Sequence, residues 1–208
     1  MTRWQIISFD VQGTLTSGVY SDTFWQDFLP NAYAQSKNLP LAQAQMELRT
    51  LFTQFGKQSV LYHDADAWLQ KCTVQNSLAD VLENCNAHVQ YNSQALNILQ
   101  AATAVCAGPV IALSSTTRSF LDLELAGLYS KFAFTYSTVN DFGMCGKPPA
   151  VYTQLAHLFE VDPRHCLHIG DDHTDDVENA REALWHAYLW PQDADKLLNI
   201  LQAGPGLT

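Results

Sequence analysis

Short runs of consecutive apolar residues alternate with amphipathic stretches along the second half of the chain. Such runs, bounded by turn residues, are typical of the buried strands of a parallel sheet. With a similar run near the start, they predict strands at residues 6–9, 110–113, 132–136, 166–169 and 187–189. Apolar residues at helical spacing predict helices between them, at residues 119–125, 149–159, 175–184 and 193–201. This alternation predicts an α/β fold, a doubly wound parallel sheet with a Rossmann-like core.

The long interval between the first two predicted strands contains no strand pattern. Apolar residues recur there at helical spacing, at residues 23–29, 41–55, 64–72, 78–85 and 93–106. We therefore expect an all-helical insertion after the first strand, over residues 16–91, and an α/β core made of residues 1–15 and 92–208. The last residues, 203–208, contain glycine and proline and are expected to fray.

Composition narrows the classes of function. The chain has 208 residues, 47% of them apolar, which is enough for a sizeable core. Its formal charge of −10 disfavours partners such as nucleic acid and anionic membrane surfaces. We see neither an apolar run of spanning length nor a secretory signal. Five cysteines without a CxxC pair indicate a reduced, cytoplasmic protein rather than a disulfide framework.

Residues able to do chemistry follow the predicted strands. Asp10 follows the first strand, Ser114 and Ser115 the second, and Asp171 the fourth, while Lys147 lies in the loop after the third. Because the carboxyl ends of parallel strands meet at one edge of a sheet, we expect these side chains to converge. Two carboxylates can hold Mg²⁺, hydroxyl groups can bind phosphate oxygens, and a lysine can neutralise their charge. The set favours phosphoryl transfer, with one carboxylate able to act as a nucleophile.

Four segments carry these residues: SFDVQGTL, VIALSSTT, CGKPPAVY and HIGDDHTDDVENA. In order, in spacing and in placement at strand ends, they resemble the four motifs of the haloacid dehalogenase superfamily of hydrolases. The resemblance covers nearly the whole chain, and the helical insertion lies where this family places its cap domain. The resemblance thus implies a Rossmann-like catalytic core and a helical cap.

The resemblance also implies roles for individual residues. Asp10 would be the nucleophile and a magnesium ligand, together with the backbone carbonyl of Gln12 and the carboxylate of Asp171. Ser114 and Ser115 would bind the substrate, and Lys147 would neutralise the nucleophile and the phosphoryl oxygens. Asp175 or Asp176 would orient Lys147 or a metal-bound water. The expected reaction is hydrolysis of a small phosphorylated metabolite with Mg²⁺ as cofactor.

One position departs from the family pattern. Phosphatases of the family usually carry a second aspartate two residues after the nucleophile, as general acid and base, and this chain has Gln12. A glutamine amide does not exchange protons at useful pH, and loss of general acid–base catalysis typically costs about 10²–10⁴-fold in rate.

Three hypotheses remain open. In the first, the chain is a phosphatase that acts on esters with good leaving groups, or that uses a water or another residue as the acid. In the second, it is a family member with different chemistry, such as a metal-independent 2-haloacid dehalogenase or a carbon–phosphorus hydrolase. In the third, it is a catalytically weakened member that binds phosphorylated ligands. The acids around Asp171 disfavour the dehalogenase, because without a cation they repel a carboxylate substrate. We rank a magnesium-dependent phosphatase first.

Several residues have a structural interpretation beside the functional one. Ser114 is also a candidate cap for the next helix, and Asp172 a solvated acid. His165 and His168 are three residues apart, but His168 is expected within a strand and His165 before it, so the two would not converge on a metal as they would on a helix. Aromatic residues of the insertion are either its core or the lining of a substrate pocket: Tyr20, Trp25, Tyr33, Tyr62, His63 and Trp68. Substrate identity and oligomeric state are not readable from the sequence.

Overall fold

A computed structural model describes residues 3–56 and 58–205 and contains one five-stranded parallel sheet. The strands are β1 (Ile6–Phe9), β2 (Val110–Ser114), β3 (Phe134–Ser137), β4 (Cys166–Gly170) and β5 (His186–Leu189). They lie in the order β3-β2-β1-β4-β5, and every neighbouring pair is parallel. The predicted α/β class and the doubly wound parallel sheet are confirmed.

Seven helices lie between β1 and β2 in the described part of the chain: α1 (Val19–Asp22), α2 (Leu29–Lys37), α3 (Leu41–Phe55), α4 (Val60–His63), α5 (Ala65–Lys71), α6 (Leu78–Asn84) and α7 (Ser93–Val105). The helices after β2 are α8 (Arg118–Glu124), α9 (Thr138–Phe142), α10 (Pro149–Leu158), α11 (Asn179–Glu182) and α12 (Ala194–Ala203). Two π-helical turns, Thr23–Phe28 and His173–Glu178, precede α2 and α11, and short 3₁₀ turns span Tyr129–Lys131 and Pro163–His165.

Two apolar layers cover the two faces of the sheet. Side chains alternate across a strand, so Ile7 and Phe9 of β1 point to one face and Ile6 to the other. The first face packs against α7, α8 and α12, and the second packs against α10 and α11. Because β1, β2 and β4 are buried along their whole length, their sequences read as mostly apolar runs rather than as alternating patterns.

The helices from α1 to α6 share a separate apolar cluster. Its buried members come from residues 20–82, with one addition from the core, Phe120 of α8. Two chain crossings join this helical segment to the rest, and they pair with each other. The backbone N–H of Ser17 donates to the Gln90 carbonyl at 2.9 Å, and that of Asn92 donates to the Leu15 carbonyl at 2.8 Å. The segment therefore has its own core and a narrow, hydrogen-bonded connection to the sheet.

The boundaries differ from the predictions at several elements. The third strand begins at Phe134 rather than at residue 132, because Phe132 closes a 3₁₀ turn instead. The sequence patterns did not predict α9, which lies directly after β3 and is only five residues long. The expected fraying of residues 203–208 lies partly outside the described residues, which end at residue 205. Within them, Ala203 is the last residue of α12. All five cysteines are free thiols.

Candidate active site

The predicted site residues lie at the carboxyl edge of the sheet. Asp10 follows β1 and Asp171 follows β4, the two neighbouring strands from which the chain leaves in opposite directions. This reversal opens a crevice between the loops, where ligands of doubly wound folds bind. Ser114 ends β2, and Lys147 precedes α10, so that both also border the crevice.

Two glycines allow the acidic loops to approach each other. Gly13 has a φ of +89°, and a Cβ on it would lie 2.3 Å from Oδ2 of Asp171. A Cβ on Gly170 would lie 2.3 Å from Cγ of Asp176. Both contacts are far shorter than a side chain tolerates, so any larger residue would displace an acid. Gly13 and Gly170 thus leave the space that the carboxylates of Asp171 and Asp176 occupy.

Lys147 is the centre of a buried ion-pair network. Its Nζ lies 2.5 Å from Oδ1 of Asp10 and 2.6 Å from Oδ1 of Asp176. All three side chains are at most about 5% exposed. Charges are buried only when they are paired, and the two carboxylates together satisfy the single ammonium. The structure therefore brings the predicted nucleophile, the predicted lysine and one of the two predicted orienting acids together.

The pKa values follow from burial and from this network. Burial raises the pKa of Asp10, and the neighbouring Asp176 and Asp171 add to the shift while Lys147 opposes it. Burial opposes the charge of Lys147, but Asp10 and Asp176 outweigh it and raise the pKa of the ammonium. Burial also disfavours the charge of Asp176, but Lys147 and His168 hold its pKa below the usual range. At neutral pH the lysine is charged and Asp176 is its permanent counter-ion.

Both carboxylate oxygens of Asp176 accept hydrogen bonds from the protein. Besides Lys147, its Oδ1 lies 3.0 Å from Nε2 of His168, and its Oδ2 accepts from the backbone N–H of Asp172 at 2.9 Å. Burial lowers the pKa of His168, so the ring is neutral and donates from Nε2, while Nδ1 accepts from Ser8 at 2.9 Å. Asp176 is thus held by three donors and in turn fixes Lys147.

Three carboxylates are close enough to share a cation. One oxygen each of Asp10, Asp171 and Asp176 lies within 4.8 Å of the others. Among the described residues, Oδ2 of Asp10 is buried without a hydrogen-bond partner, and Oδ1 of Asp171 accepts a long hydrogen bond, 3.4 Å, from Thr14. Within the described residues, the Gln12 carbonyl oxygen also accepts no hydrogen bond. These oxygens are the kind of ligand that Mg²⁺ prefers, so the site fits the ion.

The second acidic position, Asp175, lies at the edge of this cluster. It is half-buried and borders the cleft, and its Oδ1 accepts from Nδ2 of Asn179 at 3.3 Å. Its backbone carbonyl accepts from the hydroxyl of Tyr152 at 2.8 Å. Asp172 caps the π-helical turn through its side chain, which accepts from Thr174 and Asp175 N–H groups. Asp172 is therefore exposed to solvent, as predicted, and its side chain also stabilises the start of this turn.

The serines at the end of β2 differ from each other. Ser114 is buried, and its Oγ lies 3.0 Å from Oγ1 of Thr116, whose backbone N–H also donates to it at 3.2 Å. Ser115 is partly exposed, and both serines border the cleft. Ser114 does not cap the next helix: α8 begins at Arg118 with Thr117 in the cap position. Of the two serines, Ser115 is the more accessible from the cleft.

Gln12 lies between the sheet and the helical segment. Its Nε2 donates to Oγ of Ser21 in α1 and, at 3.4 Å, to Oε1 of Glu124 in α8. Glu124 is completely buried, and no described residue makes a hydrogen bond to its other oxygen, Oε2. Burial raises the pKa of Glu124 to about 8, although the bond from Gln12 opposes the shift. The carboxyl group is therefore mainly neutral at pH 7.

A cleft of about 1030 Å³ joins these residues to the helical segment. Of the predicted aromatic candidates, Trp25, Tyr62 and His63 border it, whereas Tyr20, Tyr33 and Trp68 are buried in the packing of the segment. The rest of this wall contains further residues of the segment: Ser21, Asp22, Arg49, Phe52, Thr53 and Gln58. The cleft is thus bounded by strand ends on one side and by α1–α4 on the other.

Sequence reasoning missed His168 and Glu124, although both left a signal. His168 of β4 lies opposite Ser8 of β1. This pairing could have been derived from the sequence by aligning the ends of the two strands, which carry Asp10 and Asp171. Glu124 occupies the apolar face of α8, four residues after Phe120 and beside Leu121 and Leu125. A lone acid at an apolar position of an amphipathic helix is a pattern that could have marked it. Ser21 and Arg49 left no such signal.

Comparison with known proteins agrees with this arrangement. A family model for haloacid dehalogenase-like hydrolases matches residues 4–183. The chain therefore belongs to the haloacid dehalogenase-like hydrolases, as the four motifs predicted, and it is an enzyme of the hydrolase class. No curated protein matches the chain significantly. In the described ranges, each helix is too short or too polar to cross a membrane.

Solved structures share the fold at low sequence identity. A phosphatase of the family from Thermococcus onnurineus is 17% identical with a TM-score of 0.71, over 87% of this chain and 83% of that one. A 2-haloacid dehalogenase from Pseudomonas syringae is 17% identical with a TM-score of 0.60, over 87% and 84%. A family enzyme from Bacteroides thetaiotaomicron, in complex with magnesium and inorganic phosphate, is 11% identical with a TM-score of 0.60, over 90% and 98%. At these identities the likeness shows the fold alone.

Proposed function

We propose that the protein is a magnesium-dependent phosphatase of a small phosphorylated metabolite, acting through an aspartyl-phosphate intermediate on Asp10. The observation that carries the proposal is the state of the Asp10 carboxylate. Lys147 binds Oδ1, while Oδ2 is buried and finds no hydrogen-bond partner within residues 3–56 and 58–205; Asp10 itself borders the cleft. A buried carboxylate oxygen without a partner is costly, so it is explained by a group that it meets during function.

Each residue of the site then has a chemical role. One carboxylate oxygen of Asp10 attacks the phosphorus atom, the bond from phosphorus to the leaving oxygen breaks, and the leaving oxygen keeps the electron pair and takes a proton from a water molecule. Lys147, held by Asp176, neutralises the phosphoryl oxygens, and Ser114 and Ser115 bind them. Asp175 or Asp176 would orient Lys147 or a metal-bound water. Water then hydrolyses the aspartyl phosphate and returns Asp10 to its carboxylate form.

Asp10, Asp171 and the Gln12 carbonyl would hold Mg²⁺. When bound, the ion supplies Lewis acidity and neutralises the negative charge that the substrate adds to this acidic site. Asp176 is the least suited of the three acids to be a direct ligand, because three protein donors already fill its oxygens. The phosphatase and the magnesium-bound enzyme among the similar structures support this assignment as analogies.

The organisation of the chain supports two further parts of the proposal. Residues 16–91 form a cap that covers the cleft, and residues 1–15 and 92–208 form the catalytic core; the separate apolar cluster of the helical segment and its narrow crossings support this division. The free cysteines support a cytoplasmic location. Gln12 replaces the usual general acid, so we expect esters with good leaving groups to be the better substrates.

A metal-dependence experiment tests the proposal. Purified protein is assayed against a panel of phosphate esters with and without Mg²⁺, and thermal unfolding is followed in the same buffers. We expect turnover only with Mg²⁺, loss of turnover in Asp10→Asn, and a rise in Tm with Mg²⁺ that Asp171→Asn weakens. Asp66→Asn, an exposed acid on α5, is the matched control and should behave like the parent.

The same plate distinguishes the alternatives. Halide release from a 2-haloacid without metal, and no phosphate release, would favour the dehalogenase. Phosphonate cleavage would favour the carbon–phosphorus hydrolase. Ligand-dependent stabilisation by phosphate esters without turnover of any of them would favour a phospholigand-binding member. Each of these results would contradict a magnesium-dependent phosphatase.

A further inference from the structure

The side-chain amide of Gln12 has a fixed orientation. The hydroxyl of Ser21 donates its single hydrogen to the Gly18 carbonyl, at 3.2 Å, so towards Gln12 it can only accept. The atom that meets Ser21 must therefore be the donor end of the amide, Nε2. Oε1 of Glu124 lies 3.4 Å from the same nitrogen and takes its second hydrogen. Two acceptors, one from α1 and one from α8, thus hold the amide nitrogen.

This orientation decides what Gln12 offers to the cleft. Nε2 is committed to Ser21 and Glu124, and in the described part of the chain no donor reaches Oε1 of Gln12. Gln12 itself is partly exposed and borders the cleft beside Asp10. Its free polar end is therefore a hydrogen-bond acceptor. An acceptor cannot protonate a leaving group, but it can orient a water molecule by accepting one of its hydrogens.

Glu124 has no structural explanation of its own. The side chain is completely buried on the apolar face of α8, and Oε2 has no hydrogen-bond partner. An apolar residue would pack there without the desolvation cost. The contact with Gln12 is the only side-chain hydrogen bond of Glu124 among the described residues. Retention of a costly buried carboxyl group is explained if its acceptor oxygen is needed to hold Gln12.

We propose that Gln12 is the residue that orients the hydrolytic water of the second half-reaction, and that Ser21 and Glu124 are positioning residues that turn its carbonyl oxygen towards that water. This inference rests on the proposed aspartyl-phosphate intermediate. The water oxygen attacks phosphorus, the bond from phosphorus to the Asp10 oxygen breaks, and its electron pair returns to the carboxylate. Both water hydrogens leave on the product, as dihydrogen phosphate, so Gln12 takes no proton.

The first experiment tests the orientation and needs no turnover. In protein labelled with ¹⁵N-glutamine, the side-chain NH₂ signals of Gln12 are assigned by their loss in Gln12→Leu. We expect both amide hydrogens to exchange with solvent more slowly than those of exposed glutamines, and the protection to fall in Ser21→Ala and in Glu124→Leu. Ser36→Ala is the matched control, because Ser36 donates to the carbonyl three residues earlier, as Ser21 does. Unprotected Gln12 hydrogens in the parent would overturn the orientation.

The second experiment separates the two half-reactions. With nitrophenyl phosphate and Mg²⁺, Gln12→Leu should keep the initial burst of nitrophenolate, while steady-state turnover falls by about tenfold to a hundredfold because the water is misplaced. Phosphorylated enzyme should accumulate in quenched samples. Ser21→Ala and Glu124→Leu should show the same pattern with smaller effects, and Glu124→Gln, which keeps an acceptor oxygen, should restore much of the rate.

The outcomes separate this inference from the proposed function. If the parent turns over no phosphate ester, the proposed function fails and the water-orienting role fails with it, whatever the amide exchange shows. If the parent is active but Gln12→Leu loses the burst and accumulates no phosphorylated enzyme, Gln12 acts in the first half-reaction and the inference alone is overturned. Equal rates in Glu124→Leu and Glu124→Gln would remove Glu124 from the positioning role.

Discussion

At the scale of single residues, Glu124 links packing to pH. Its carboxyl group is completely buried, and burial raises its pKa from the ordinary 4.5 to about 8. Because the folded state holds the proton more tightly than the unfolded state, this group's contribution to stability is fully present below pH 4.5. The contribution is lost as the pH rises towards about 8. The shift corresponds to an upper bound of about 5 kcal/mol.

We predict that Glu124→Gln flattens this dependence. An amide has no charge to bury, so the variant should gain stability relative to the parent as the pH rises from 5 to 8.5, by up to a few kcal/mol. Urea unfolding in metal-free buffer at several pH values measures the difference. The exposed Glu83→Gln on α6 serves as the control and should follow the parent. A difference between parent and Glu124→Gln that stays constant over this pH range would contradict the pKa shift.

Single residues also show what the sequence could predict about the site. Asp10, Ser114, Lys147 and Asp171 could be selected because each lies at the end of a predicted strand, and parallel topology brings such ends together. The structure places them around one cleft; their chemical roles remain predictions. The contact between Gln12 and Glu124 could not be predicted in this way. It joins positions 112 residues apart through the angle at which α8 packs, which no local pattern encodes.

At the scale of elements, agreement with the sequence follows the strength of the local pattern. Helix α3 ends at Phe55 as predicted, because Gly56 stops it, and β1 and β4 are mostly apolar runs followed directly by Asp10 and Asp171. Edge strand β3 begins later than predicted: only Ser137 of its four residues is buried, and the apolar Phe132 before it ends the preceding 3₁₀ turn. Short elements such as α9 depend on a cap and a glycine stop rather than on apolar periodicity.

Helix α3 also contributes a charge to the cleft wall that the helical segment forms. Arg49 is exposed to the cleft and, within the described residues, makes no ion pair, whereas Lys147 is already paired with two acids. A cation without a partner facing a largely acidic cleft attracts a negative group of the substrate. We therefore expect the preferred leaving group to carry a second anionic group.

The variant Arg49→Met tests this expectation, since methionine keeps much of the apolar stem and removes the charge. KM should rise by about threefold to tenfold for esters with a second anionic group, equivalent to roughly 1 kcal/mol. KM for esters with neutral leaving groups should not change. Arg164→Met removes an exposed arginine of the core, paired with Asp162, and should change neither value. Equal effects on both kinds of ester would exclude a specific contact from Arg49.

At the scale of the whole molecule, the cleft lies between two separately packed parts. One wall belongs to the sheet, whose two faces are covered by their own apolar layers, and the other belongs to the cluster of α1–α6. The chain crosses between them near Ser17 and near Tyr91, where the two crossings form an antiparallel bridge. Because few backbone contacts join the two parts at these crossings, one part can rotate against the other. Ser21 lies close to the first crossing, so its contact with Gln12 can persist during such a rotation.

We predict that the proposed cap closes over the cleft when magnesium and phosphate bind, because closure excludes water from the site and brings Arg49 towards the substrate. Structures with and without the ligands should differ mainly by a rotation about the two crossings, and the radius of gyration from small-angle scattering should fall on ligand addition. Asp171→Asn, with weakened magnesium binding, should require higher ligand concentrations for the same change. Caps that superpose in both states, together with an unchanged radius of gyration at saturating ligand, would show that the wall of α1–α4 is static. Specificity would then reside in a preformed cleft, in which Arg49 acts without any movement of the cap.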